Sequence, residues 1–225
     1  MKTYTIGDIH GGYKALKQVL ERAKFDKDKD TLISLGDVCD GWSQTPQCIE
    51  LLMEIKNLVF VMGNHDFWLD EWFKFHATPD VWTKQGGKAT IDAYIRNKEL
   101  VIKHRGFFKN AVKFYRDDKN RIYVHGGFNQ EEEPEKTDLE YCMWDRTFWS
   151  NRHNYTEDIK NCSEVIVGHT SIYRFSKKPL NIRNIWFMDT GGGCEGKLSL
   201  MNVDTKEIFQ SEKVSQLYPN EMIFR

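Results

Sequence analysis

Three short apolar runs, Lys2–Ile6, Thr31–Leu35 and Leu58–Met62, open the chain, and each stops at a glycine followed by Asp or Asn. Between the first two, Tyr13, Leu16, Leu20 and Ala23 share one face at helical spacing. Between the second and third, Thr45-Pro46 reads as an N-cap and first helical residue, with Ile49, Leu52 and Met53 carrying the helix onward. The order is βαβαβ. It requires parallel strands joined by right-handed crossovers. Consecutive parallel strands then deliver their C-terminal tips to one edge of the sheet, where such sheets bind ligands.

The segment 67–108 reads as helical and is rich in aromatic residues, among them Phe67, Trp68, Trp72, Phe73, Phe75 and Trp82. It is expected to form a cap-like element beside the strand tips, with most of its rings in the core. From Val112 the character changes to short strands between turn residues: Val112–Arg116, Arg121–Val124, Glu164–Val167, Asn184–Met188, Leu198–Val203 and Glu207–Gln210. Asn129–Thr137 reads as a solvated loop. No repeat or long linker interrupts the chain, so a single domain over residues 1–225 is expected.

Charge and cysteine usage narrow the partners. Lys plus Arg number 32 against 33 for Asp plus Glu, and no basic block tracks a nucleic-acid backbone. No extended nucleic-acid surface is expected, although a nucleotide held in a pocket is compatible. The first residues lack a charged and apolar leader pattern, and no apolar run reaches the roughly 18 residues of a membrane helix. The five cysteines are scattered and never form Cys-x-x-Cys, which predicts reduced thiols and a cytoplasmic protein without a sulfur-ligated zinc site.

The strand tips accumulate one kind of residue. Asp8 and His10 follow the first strand, Asp37 the second, and Asn64 with His65-Asp66 the third. His125 and His169 follow two of the later strands. If extended geometry persists to the first tip, alternation points Asp8 and His10 the same way. Tips carrying only Asp, His and Asn are a donor inventory for hard-to-borderline divalent metals.

The stretches GDIHG (7–11), GDVCDG (36–41), GNHD (63–66), VHGG (124–127) and GHT (168–170) resemble the calcineurin-like metallophosphoesterases. Within them the chain is most similar to small bacterial and phage-type serine/threonine phosphoprotein phosphatases and diadenosine tetraphosphate hydrolases. The stretches Trp82–Thr90 and Met143-Trp144-Asp145-Arg146 fit as well. The resemblance implies that Asp8 and His10 hold a first metal, that Asp37 bridges, and that Asn64, His125 and His169 complete a second. It makes His65 the general acid, with Asp66 orienting its imidazole, and assigns substrate phosphate to Arg146 and Asn64. Two divalent ions are implied, Mn²⁺ first, with Fe or Zn compatible with the same donors. In this branch Glu usually stands where Asp66 is, and a phosphate-gripping Arg where Gly41 is. The flanking glycines are expected to let ions and phosphate approach the backbone.

Other features read more plainly. Gly191-x4-Gly196-Lys197 nearly spells a P-loop, but Leu198 replaces the required Ser or Thr and a strand pattern follows. His76, His104 and His153 lack strand-tip context, Cys39 reads as a buried filler, and Asp26–Asp30 as a solvated turn. Asp40 reads as a turn residue or a supporting hydrogen-bond partner.

The expected fold is α/β: a four-layer sandwich of two mixed sheets flanked by helices, with metals at the strand C-terminal tips. The expected activity is dinuclear-metal hydrolysis of phosphate esters, on a phosphorylated protein or on a small phosphate ester or nucleotide. The leading reading is a serine/threonine-phosphatase-like monoesterase. A dinucleoside polyphosphate hydrolase or other nucleotide phosphodiesterase is the alternative, and a non-catalytic scaffold a remote one.

Overall fold

The computed structural model describes residues 1–221. Its opening elements are β1 (Thr3–Ile6), α1 (Tyr13–Arg22), β2 (Thr31–Ser34), α2 (Thr45–Met53) and β3 (Asn57–Phe60). Strands β1 and β2 pair in parallel, as do β2 and β3, so the βαβαβ reading holds. Helix α2 starts one residue earlier than expected: Thr45 lies inside it and Gln44 precedes it.

The helical segment comprises α3 (Asn64–Phe75), α4 (Asp80–Trp82), α5 (Lys88–Arg96) and α6 (Val101–Phe108), with a π-type turn over Thr83–Gly87. The second half contains β4 (Phe114–Arg116), β5 (Arg121–Val124), α7 (Leu139–Trp144), α8 (Thr147–Ser150), β6 (Glu164–Val167), β7 (Leu180–Ile182) and β8 (Ile185–Phe187). It ends with β9 (Ser199–Asn202), β10 (Ile208–Gln210) and α9 (Val214–Leu217). The short β7 escaped the sequence reading because it spans three residues, one of them an exposed Asn181.

Two five-stranded mixed sheets form, in the orders β10-β9-β1-β2-β3 and β4-β5-β6-β8-β7. The first sheet carries its parallel strands β1-β2-β3 at one edge beside antiparallel β9. The second keeps β5-β6-β8 in parallel at its centre, with β4 and β7 antiparallel at the edges. Strand alternation distributes the core between layers. Tyr4, Ile6, Leu32 and Leu200 face the helices, including Leu16, Val19, Ile49 and Leu52. Their alternates Ile33 and Met201 meet Tyr123 and Ile166 of the second sheet. Ile122, Val124, Val165 and Val167 face outward onto Phe128 and Phe148. The result is four layers, two sheets between helical coverings.

Most rings of the segment 67–108 are core as expected: Trp82, Phe73, Tyr94 and Phe108 are all buried. The expected solvated turn at Asp26–Asp30 differs at one end. Asp30 is buried, because its carboxylate accepts the backbone N–H groups of Lys2 and Asp26 and ties α1 to β1. The glycine-rich stretch at 191–196 leads into β9 and not into a helix, so it is no P-loop. Among the described residues, no helix is long and apolar enough to cross a membrane.

Candidate metal centre

The tips of β1, β2, β3, β5 and β6 converge on one buried locus. Its loops are stitched by backbone: Asp37 O accepts from Ile9 N at 3.0 Å and His10 N at 2.9 Å, and Gly11 N donates to Val38 O at 2.8 Å. Extended geometry does not persist past β1. His10, Asp37, Asp40 and His169 all have left-handed backbones, with φ of 49°, 52°, 72° and 63°. Non-glycine residues in that region carry strain, which concentrates at functional sites. The expected reason for the flanking glycines is also corrected. A Cβ on Gly11 would lie 2.3 Å from Trp42 O, so this glycine, at φ +69°, admits a neighbouring loop and not an ion.

Asp8, His10 and Asp37 place donor atoms within 4.8 Å of one another, and Asp37, His125 and His169 do the same. Asp37 belongs to both groups. Its Oδ2 lies 3.7 Å from His10 Nε2 and 3.4 Å from His125 Nε2. Asn64, the first residue of α3, places Oδ1 3.0 Å from His125 Nε2. The six residues expected as ligands are therefore brought together, and all are buried.

Hydrogen bonds outside the cluster set the imidazole orientations. His10 Nδ1 faces Cys39 O at 3.0 Å and His125 Nδ1 faces Leu35 O at 2.7 Å. Donation from Nδ1 to a carbonyl turns Nε2 inward as a lone-pair donor, the usual support for a metal-ligating histidine. Asp8 is steadied by His169 N, which donates to both carboxylate oxygens at 3.1–3.2 Å.

The electrostatics fit a cation. Burial, reinforced by Asp189 and Asp37, pushes the Asp8 carboxyl well above the usual carboxylate range. Burial also opposes ionisation of Asp37, yet His125, His65 and His10 together hold it well below that range. Burial lowers the His125 pKa, but Asp37 outweighs it and the group stands at about 9. A donor set that draws a proton onto His125 draws a metal cation for the same reason. Burial and the neighbouring His125 push His169 well below the ordinary histidine value, so its ring is neutral, the state a ligand needs. Its buried Nε2 has no hydrogen-bond partner among the described residues. Such an orphaned atom is costly unless something binds it. Oxygen and imidazole donors without thiolate suit Mn, Fe or Zn.

One expected contact is overturned. Asp66 does not orient His65: its carboxylate accepts the backbone N–H groups of Asp37 at 2.6 Å, Val38 at 2.8 Å and Gly63 at 3.1 Å. As the third residue of α3 it reaches back over the helix N-terminus, where unpaired amides and the helix dipole attract a carboxylate. Burial and the Asp37 charge nevertheless raise it to about 7. The partner of His65 is Asp40, whose Oδ2 lies 2.7 Å from His65 Nδ1. Trp82 Nε1 donates to that same oxygen at 2.7 Å, and Asp40 N donates to Thr90 Oγ1 at 2.9 Å. The Asp37-x-x-Asp40 spacing was the available signal for Asp40, and the family-like stretch Trp82–Thr90 was the one for Trp82, without showing that it meets Asp40.

A family model described as calcineurin-like phosphoesterase matches residues 1–192. The chain belongs to that family. Among curated relatives, this phosphoesterase is 24% identical over 207 residues to serine/threonine-protein phosphatase 1 of Salmonella typhimurium, covering 89% of this chain and 91% of that protein. It is 32% identical over 130 residues to a symmetrical bis(5'-nucleosyl)-tetraphosphatase of Hamiltonella defensa, covering 48% of this chain and 45% of that protein. A solved structure described as a candidate diadenosine tetraphosphatase superposes with a TM-score of 0.69 at 16% identity, covering 93% of this chain and 92% of that one. A metallophosphoesterase from Sphaerobacter thermophilus superposes at 0.58 with 16% identity, covering 97% and 95% of the two chains. These likenesses establish the four-layer fold.

The exposed Arg146 of the phosphoesterase sits at the rim. Its guanidinium donates to Thr170 Oγ1 at 3.0 Å and His169 O at 3.3 Å, which places it next to the second histidine group. Gly41, where the phosphoprotein phosphatases usually carry Arg, adopts φ +89° and donates its N–H to Gly86 O at 3.3 Å.

Proposed function

We propose that this phosphoesterase is a dinuclear-metal phosphomonoesterase of the protein-phosphatase type. The observation that carries the reading is the pair of buried donor groups sharing Asp37, with His65 against them: the His10 and His65 rings lie 5.1 Å apart. Asp8, His10 and Asp37 would hold one ion, and Asp37, Asn64, His125 and His169 the other. Bound ions of this kind stabilise the phosphoryl oxygens and acidify water.

The chain's own residues supply the rest. Asp37 presents Oδ2 to both donor groups and also fixes α3, because its Oδ1 accepts His65 N at 3.0 Å. His65 is the proton donor to the leaving oxygen, held by Asp40 through Nδ1, which leaves Nε2 to carry the proton. Arg146 grips phosphate oxygens from the rim, a role suited to a planar guanidinium. Asn64 steadies the same oxygens from the start of α3.

The near full-length alignment to serine/threonine-protein phosphatase 1 favours the monoesterase over dinucleoside polyphosphate hydrolysis, where the alignment covers 45% of the relative. The test is turnover of p-nitrophenyl phosphate, a phosphoserine peptide and diadenosine tetraphosphate by protein stripped with chelator and reloaded with Mn²⁺. Activity on the first two should need metal and fall at least about 100-fold in Asp37→Asn with the circular dichroism spectrum kept. Near wild-type turnover by that variant would remove the bridging role, and preferential cleavage of diadenosine tetraphosphate would reverse the substrate assignment.

A further inference from the structure

Beside the metal centre lies a cavity of about 570 Å³ that the chemistry above leaves unused. Phe67 and Trp68 of α3, Val81 of α4, and Leu139, Met143 and Trp144 of α7 line it. Among the described residues, its one charged lining residue is Glu140, and no lysine or arginine lines it. Trp68 and Trp144 form the wall on the metal side. Their rings meet edge to face at 5.1 Å, Trp68 lies 5.1 Å from the His65 ring, and Trp144 lies 6.2 Å from the His169 ring. Trp144 is 37% exposed and Val81 47%, so the apolar surface is open at the mouth.

We infer that this cavity is a leaving-group subsite for an apolar aromatic ring, making aryl phosphate monoesters, with the phosphotyrosyl side chain as the protein-borne case, the favoured substrates. The inference rests on the phosphomonoesterase reading and deepens it. Three observations carry it. The side of the phosphate that faces His65 is the leaving-group side, and Trp68 follows His65 by one helical turn, so the group beyond the ester oxygen meets Trp68 first. Because Trp68 touches the His65 ring edge to face, a ring bonded directly to that oxygen lies within reach of the indole. Aromatic rings favour the offset and edge-on contacts that two indoles provide. The lining also selects against other occupants: a nucleoside polyphosphate reaches its base only beyond further phosphates, and among the described residues no cation lines this cavity to receive them. In the step itself, a water oxygen forms the new P–O bond as the P–O(aryl) bond breaks. The electron pair goes to the aryl oxygen, which leaves as the phenol with the proton from His65. The proton that the attacking water loses passes to solvent, which restores the proton on His65.

The test compares KM values on the Mn²⁺-loaded protein for phenyl phosphate, 2-naphthyl phosphate and glycerol phosphate, then for matched phosphotyrosine and phosphoserine peptides. Phenol and 2-naphthol are similar leaving groups, so their difference reads burial. Naphthyl phosphate should show a KM about tenfold below phenyl phosphate, from the extra apolar area removed from water. Leu139→Glu, on the wall away from His65, should shrink that ratio toward one, and Leu139→Asn should do so without adding charge. The phosphotyrosine peptide should likewise have the lower KM. Equal KM values across the series would overturn the subsite while leaving the monoesterase reading intact. Stronger competition by adenosine monophosphate than by naphthyl phosphate would also overturn it. Loss of all monoester turnover in wild-type protein would instead remove the reading beneath it.

Discussion

His65 and Trp82 share one oxygen: each places a ring nitrogen 2.7 Å from Oδ2 of Asp40. The proposed proton donor is thus positioned by a carboxylate that is itself held by a residue of the helical segment. Trp82 is fully buried, and no hydrogen bond to Asp40 Oδ1 is present among the described residues, so the whole load falls on one atom.

Trp82→Phe keeps an aromatic ring, smaller than the indole, and deletes that N–H. A hydrogen bond to a charged group contributes about 1.5–3 kcal/mol, so Asp40 should swing and leave His65 less well aimed. Proton donation matters most when the leaving group is a poor one. Turnover of glycerol phosphate should therefore fall about tenfold, while that of p-nitrophenyl phosphate, whose leaving group needs little help, should fall less than about twofold. Equal losses on both substrates would assign Trp82 to packing alone.

Asp66 should behave as a structural residue. Asp66→Ala leaves the buried N–H groups of Asp37, Val38 and Gly63 without their acceptor. Each unsatisfied amide costs about 1–3 kcal/mol, so urea unfolding should show a loss of roughly 2–5 kcal/mol after partial relaxation. A variant with wild-type stability and merely slower turnover would return Asp66 to a catalytic role.

A pH dependence follows from a group outside the candidate metal centre. His104 is buried between Glu50, which faces its Nε2, and Tyr94, whose hydroxyl lies 2.6 Å from its Nδ1. Burial lowers the His104 pKa below its ordinary 6.5, outweighing the opposing pull of Glu50. The unfolded chain then binds the proton first. Below about pH 6.5 the unfolded state gains protons that the folded state refuses, so stability falls as pH drops and is full above that value. Glu50, itself held below the ordinary 4.5 by Lys103 and His104, adds a further loss at lower pH as it becomes protonated. The His104 contribution should therefore lower the melting temperature between about pH 7.5 and 5, so His104→Gln should lose less stability over that range than the wild-type chain does. An unchanged slope in the variant would place the titrating group elsewhere.

The order β1-α1-β2-α2-β3 and the residues at its tips are local facts, set by apolar runs, helical periodicity and glycine punctuation. Because parallel strands share a direction, their tips must share an edge, and Asp8, Asp37 and Asn64 were bound to meet once the strands were recognised. His125 and His169 were visible as tips of β5 and β6. What tertiary structure alone decided is which polar group meets which. The carboxylate of Asp66 turned to three amides because a helix N-terminus and two loop N–H groups surround it, leaving the imidazole of His65 to Asp40. The left-handed backbone of His10 replaced the extended tip that alternation implied. The Trp82 contact joins residues 42 positions apart. No periodicity encodes such pairings, since buried polar groups choose partners by the three-dimensional supply of donors and acceptors, which only the folded chain defines.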